Sequence, residues 1–134
     1  MNNLCRISFL ALFFGIALGA CKPEDGPWPD TIVTGTVVDT SMISIEGAAF
    51  TLFRREITTD FLGATDWKDV EIKNVQTDAN GYFKLSFCMM HYHTPDISEV
   101  HYVFDVKKNG YQSIYRRDIN KFLSTDRVLA ITPQ

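Results

Sequence analysis

Thr77-Asp78-Ala79-Asn80-Gly81-Tyr82-Phe83-Lys84-Leu85-Ser86-Phe87 is the stretch that decides the fold. Asn-Gly set between apolar runs is the strongest short hairpin signal, because both residues tolerate a left-handed backbone. Asp78 stands where its carboxylate accepts hydrogen bonds from the turn backbone, with Asn80 and Gly81 expected in left-handed conformations. Beyond the turn, Phe83, Leu85 and Phe87 alternate with Tyr82, Lys84, Ser86 and Cys88. A period of two describes a strand with one buried face.

The same grammar extends in both directions. Upstream, residues 70–77 read as a modest edge strand and residues 31–39 as a strand dense in Val, Ile and Thr. Residues 47–54 set Ala49, Thr51 and Phe53 against Ala48, Phe50 and Leu52, apolar enough on both faces for a central strand. Downstream, Tyr102, Phe104 and Val106 alternate with His101, Val103 and Asp105, and Asn109-Gly110 is a second hairpin turn. Residues 111–117 return, and residues 127–132 close the fold with Leu129 and Ile131 on one face. Residues 55–69 read as a long loop with a turn of helix, and residues 90–99 as a crossing loop. No segment keeps a helical period for three turns. Seven short strands with close turn signals predict an all-β, seven-stranded Greek-key β-sandwich, prealbumin-like or immunoglobulin-like, over residues 31–134.

Four blocks fall in order along these strands: Gly35-Thr36-Val37-Val38-Asp39, Ile45-Glu46-Gly47-Ala48, Thr77-Asp78-Ala79-Asn80-Gly81-Tyr82-Phe83 and Asn109-Gly110-Tyr111. Together they resemble the carboxypeptidase regulatory-like domain, a relative of the transthyretin-like (prealbumin-like) sandwiches. The resemblance spans nearly all of residues 32–131. Its motif residues, Asp78, Asn80, Gly81, Asn109 and Gly110, build turns and perform no chemistry. It therefore implies a structural or interaction module, not an enzyme. Some transthyretin-like relatives hydrolyse 5-hydroxyisourate and end in Tyr-Arg-Gly-Ser. Here Tyr115-Arg116 is followed by Arg117-Asp118 and the chain ends Ala-Ile-Thr-Pro-Gln, so that activity is not expected.

The N-terminal region points to a location. Arg6 precedes a mostly apolar run over residues 7–17, and Leu18-Gly19-Ala20-Cys21 follows. A positive start, a short apolar run and small residues at the cut site describe a secretory leader over residues 1–20, too short for a spanning helix. The four residues ending at Cys21 resemble the lipobox of bacterial lipoproteins. In that family this cysteine becomes the lipid-bearing N-terminus, and two or three acyl chains give stable membrane anchoring. Residues 21–30, with three prolines and three acids after Lys22, are read as a stiff tether. Glu24 and Asp25 resemble the export signals of Bacteroidetes surface lipoproteins. The expected place is the outer membrane of a Gram-negative envelope, on its periplasmic side or at the cell surface.

Composition narrows the partners. The mature chain would hold 114 of 134 residues, one domain with room for a core. Net charge is −3, or −4 once Arg6 is lost with the leader. A mildly acidic chain without a Lys/Arg run has no electrostatic footprint for nucleic acid. With Cys5 in the leader and Cys21 lipidated, Cys88 has no intramolecular disulfide partner and reads as a buried core residue.

The functional readings are three. The first is a non-enzymatic module presenting loops 55–69 and 90–99 to an envelope protein or glycan. The second is an accessory glycan or transport binder, in which Trp28, Trp67 and Tyr92 would stack on sugar, although a buried place in the core is the ordinary fate of a residue such as Trp67. The third is a metal-dependent enzyme: His91 and His93 would share a strand face, with His101 as a third imidazole, a set suited to zinc. Pro95 argues against a strand continuing through the first two, and no cofactor is expected.

Overall fold

The computed structural model describes residues 30–89 and 97–134. The leader, Cys21, all of the tether before Asp30, Trp28, His91, Tyr92 and His93 lie outside the described residues. Within them the expected all-β sandwich forms. Seven strands follow in order: β1 (Asp30–Asp39), β2 (Ala49–Thr59), β3 (Thr65–Gln76), β4 (Tyr82–Cys88), β5 (Glu99–Lys107), β6 (Ile114–Asp118) and β7 (Val128–Ile131), with one short helix, α1 (Ile119–Leu123), before β7.

The strands make a three-stranded sheet, β4-β1-β7, and a four-stranded sheet, β3-β2-β5-β6. All pairs are antiparallel except β1 with β7. Strands remote in sequence become neighbours, β1 beside β7 and β2 beside β5, the crossed connections expected of a Greek-key chain. The β2–β3 and β5–β6 connections stay within a sheet, and the others cross between sheets.

Alternation predicts the core faces well. Val33 and Val37 of β1, Phe50 and Leu52 of β2, Phe83, Leu85 and Phe87 of β4, and Tyr102, Phe104 and Val106 of β5 are all buried. Phe50 of one sheet stacks on Phe83 of the other at 4.3 Å and on Phe104 at 4.8 Å. Helix α1 adds Phe122, 5.4 Å from Phe104 and 6.2 Å from Phe83. Gly35 makes room for it, because a Cβ there would lie 2.7 Å from the Phe122 ring and 2.8 Å from Phe83. Asp118 caps the helix by accepting the Lys121 amide at 3.0 Å.

Three expectations change. Residues 55–69 are no loop. β2 runs on to Thr59, β3 begins at Thr65, and only residues 60–64 turn. The sequence hid this because alternation marks a strand only while one face is buried. Beyond Leu52 the core-facing positions of β2 are Arg54 and Glu56, a salt-bridged pair at the end of the sandwich.

The turn at Asp78 is also not a hairpin within one sheet. Strand β3 pairs with β2, and β4 pairs with β1, so the turn carries the chain from one sheet to the other. Gly81 is left-handed as expected (φ +71°), but Asn80 is not. The working element is Asp-x-x-Gly. Asp78 Oδ1 accepts the amides of Asn80 (2.8 Å) and Tyr82 (3.0 Å), Gly81 N donates to Asp78 O, and Asp78 N donates to Tyr82 O.

That pattern occurs three times among the described residues. Asp60 Oδ1 accepts Leu62 N and Ala64 N at 2.8 Å each, with Gly63 at φ +84°. Asp39 Oδ1 accepts Ser41 N and Ile43 N, and Met42 stands where the other two have glycine, at φ +63°. Only the copy containing Asn-Gly announces itself by dipeptide. At Asn109-Gly110 the expected hairpin does form, with Gly110 at φ +80° and Tyr111 N bonded to Lys108 O, but its loop is wider because residues 110–112 pair with residues 132–134 at the C-terminus.

Candidate functional site: the outer face of the four-stranded sheet

In the four-stranded sheet one face builds the core, and the other carries an uninterrupted set of interacting side chains. The period of two places Thr51, Phe53, Arg55 and Ile57 of β2 there, opposite Asp105, Val103, His101 and Glu99 of β5. On the other side of β2, Asn74, Glu71, Asp69 and Trp67 of β3 stand opposite the same four residues. A bulge lets Glu71 and Lys73 pair with the adjacent Phe53 and Leu52, which leaves Ile72 as the extra residue. Strand β6 contributes Tyr115 and Arg116 to this outer face, at a second register shift.

Two carboxylates and two guanidiniums interlock at the centre. Arg55 grips Asp69 with two parallel bonds, Nε to Oδ1 at 2.8 Å and Nη2 to Oδ2 at 2.9 Å. Such bidentate pairs are the strong, geometrically specific kind. Arg116 Nε reaches Asp69 Oδ2 at 2.8 Å and its Nη1 reaches Asp105 Oδ2 at 3.0 Å. Asp105 is 2% exposed, the most deeply buried acid among the described residues, and it also accepts the Arg116 backbone amide at 2.8 Å. A buried carboxylate is tolerable only when paired in this way.

The charges respond to this geometry. The Arg55 hydrogen bonds hold the Asp69 carboxyl below the usual carboxylate range, against an opposing push from burial, with the Arg116 charge assisting. Arg55 is raised in turn by its bond to Asp69.

Arg116 is held at φ +49°, a left-handed conformation that a non-glycine residue adopts at a cost. The two bonds to Asp105 and the one to Asp69 hold it there. Its guanidinium also lies 3.8 Å above the Phe53 ring. Arg55 lies 6.0 Å from the Trp67 ring centroid, and Lys107 lies 5.2 Å from that of Tyr115.

The result is a surface braced by ion pairs across all four strands. Its four central charges, Arg55, Asp69, Arg116 and Asp105, are engaged with one another, and Trp67 and Tyr115, each 63% exposed, stand on its two edge strands. Trp67, expected to be packed in the core, is instead an outer-face residue of β3, because β3 begins at Thr65, five residues ahead of the strand predicted from residue 70. The concavities elsewhere are shallow; one of about 380 Å³ lies by Gly47, Lys107, Lys108 and Asn109.

Other expected residues fall differently. His101 is on this face, with Nε2 2.9 Å from Glu99 Oε1, so its nearest partner is a carboxylate of its own strand. Its proposed companions His91 and His93 lie outside the described residues. Cys88 is half-buried at the end of β4, on the face opposite Phe87, and is not the core residue expected. Thr77, at the head of the turn motif, has a role the sequence did not announce. Its hydroxyl donates to Ile45 O at 2.6 Å and accepts Ala48 N at 2.9 Å, tying the β1–β2 connection to the end of β3.

No protein-family model matches the chain, and no curated protein is similar to it. Among solved structures, the crystal structure of 3-chlorocatechol 1,2-dioxygenase from Rhodococcus opacus 1CP is similar at 19% identity and a TM-score of 0.45. The match covers 69% of this chain and 44% of that one, so the chain spans less than half the length of that enzyme. Among the described residues no helix is long and apolar enough to cross a membrane.

Proposed function

We propose that this chain is a lipid-anchored envelope protein, of the carboxypeptidase regulatory-like type, whose sandwich serves as a non-enzymatic interaction module. The anchor reading rests on Leu18-Gly19-Ala20-Cys21 and the apolar run before it. The interaction reading rests on one observation: the Asp69–Arg55–Arg116–Asp105 lattice braces a sheet face that presents Trp67 and Tyr115 to solvent. Exposed aromatics on a preorganised backing lose little entropy when a partner covers them. The partner is an envelope protein, at the outer membrane or on the cell surface. Neither of the two readings needs a cofactor or nucleic acid.

A photo-crosslinking amino acid placed at Tyr115, and in a second strain at Lys84 on the opposite sheet, tests this in living cells. A discrete adduct from position 115 alone supports the module. Equal labelling from both positions, or from neither, rejects this face as the partner surface. The second reading, a glycan-binding accessory protein, draws on the same Trp67, since sugars stack on exposed indoles. A glycan mobility shift that disappears in Trp67→Ala would favour it over a protein partner. Protease shaving of intact and lysed cells decides between cell surface and periplasm.

A further inference from the structure

The β2–β3 hairpin ends in Asp60-Phe61-Leu62-Gly63-Ala64, where Phe61 is 94% and Leu62 78% exposed. They are the two most exposed large apolar side chains among the described residues. The turn that displays them is built, not loose. Asp60 Oδ1 takes the Leu62 and Ala64 amides, Gly63 N bonds to Asp60 O, and Asp60 N bonds to Ala64 O. The arm also projects. β5 pairs with β2 only as far as Ile57, so the backbones of Thr58 and Thr59 pair with β3 alone, about 7 Å further at 3.4 Å per residue, with the Thr59 hydroxyl 3.2 Å from that of Ser98.

The direction of the arm matters. β1 begins at Asp30, opposite Cys88 at the end of β4. The chain then reaches β5 through Ser98, whose amide bonds to Ile57 O near the far end of β2. Asp30, Cys88, Glu99 and the hairpin tip therefore share one end of the sandwich, while the C-terminus pairs with Tyr111 at the other. Nine residue steps lead from Cys21 to Asp30, at most roughly 32 Å of chain at 3.6 Å per residue. An anchor on Cys21 thus keeps this end within reach of the bilayer.

We infer that the Phe61–Leu62 tip docks into the surface of the membrane that anchors Cys21, giving the domain a second point of attachment and a fixed orientation. This rests on the lipid-anchor reading above. The apolar pair would enter the headgroup and acyl boundary, to a depth of about 5–10 Å. Asp60 and Asp66 flank the tip, and both carboxylates are engaged with local backbone amides, so a zwitterionic surface suits the arm better than an anionic one.

The test uses the full-length protein purified from membranes, with Phe61→Trp as its sole indole in a Trp28→Phe, Trp67→Phe background. The mass of its N-terminal peptide is measured first. The protein is then reconstituted into phosphatidylcholine vesicles, with or without brominated acyl chains. A lipid-modified Cys21, a blue-shifted indole emission and loss of fluorescence to the bromolipid support docking. A lipid-modified Cys21 with an indole quenched by aqueous iodide, and not by bromolipid, overturns docking while leaving the anchor intact. An unmodified Cys21 overturns both. Shielding from iodide in native membranes but not in vesicles assigns the tip to a protein and also overturns the proposal.

Discussion

Gly81→Ala should destabilise the protein far more than the same change at Gly63 or Gly110, although all three glycines are left-handed, at φ +71°, +84° and +80°. Alanine in that region costs about 1–2 kcal/mol. Roughly 0.4–1 kcal/mol of this is offset because alanine restricts the unfolded chain. At Gly63 and Gly110 nothing lies within 4 Å of the added methyl, so the net loss there is about 1 kcal/mol. At Gly81 the methyl would collide with the Val37 carbonyl oxygen and lie 3.1 Å from Ile45 N. Neither atom is free to yield. Val37 N donates to Gly81 O at 2.8 Å, and Val37 O accepts Ile45 N at 3.0 Å. Displacing both bonds adds about 0.5–1.5 kcal/mol each, for a total near 3 kcal/mol. Thermal unfolding followed by circular dichroism reads this directly. A domain of this size loses about 4–8 °C per kcal/mol, so the melting temperature should fall by about 15 °C for Gly81→Ala and about 5 °C for the controls. Equal shifts in all three variants would refute the claim that contact with Val37, and not φ alone, reserves position 81 for glycine.

Four further outcomes follow from the same structure. Met42→Gly, which gives the third Asp turn the residue its two counterparts use, should stabilise by about 0.5–1 kcal/mol in urea unfolding; a loss would show that the Met42 side chain contributes more than its strain costs. Asp69→Asn should cost about 2 kcal/mol at neutral pH, since charged hydrogen bonds to Arg55 and Arg116 are lost. Because the folded carboxyl titrates below its unfolded value of about 3.9, that stability is present above the unfolded value and vanishes as pH falls through the folded one. Stability curves of wild type and Asp69→Asn should therefore run parallel from neutral pH down to the carboxylate range and converge only below it. Thr77→Val keeps the shape but strands Ile45 O and Ala48 N, and should lower stability by about 2 kcal/mol by the same urea assay. Trp67→Ala, mostly exposed, should shift stability by no more than about 0.5 kcal/mol while abolishing partner or glycan binding; a large loss of stability would recast Trp67 as structural.

The strands that touch the core were legible in the chain because burial writes itself as alternation. Phe83, Leu85 and Phe87, and likewise Tyr102, Phe104 and Val106, could be assigned a face with no knowledge of their partners. The turns were legible in part. Asn-Gly flagged Gly81 and Gly110, while the equivalent turns at Asp60 and Asp39 passed unnoticed, because neither has Asn before its left-handed residue, Gly63 in one and Met42 in the other.

The candidate site was not legible, and the reason is physical. Arg55, Asp69, Asp105 and Arg116 come from four strands, up to 61 positions apart, and meet only because β2 lies between β3 and β5, with β6 beyond. Along the chain nothing pairs them: Arg55 stands between Arg54 and Glu56, Asp69 follows Lys68, Arg116 precedes Arg117, Asp105 interrupts an apolar strand, and Arg55 and Asp69 bounded what looked like a loop. Local pattern determined which residues face inward, since water acts on each side chain separately. Strand order decided which outward-facing charges become partners, since hydrogen bonds between side chains depend on distances that only the assembled sheet sets.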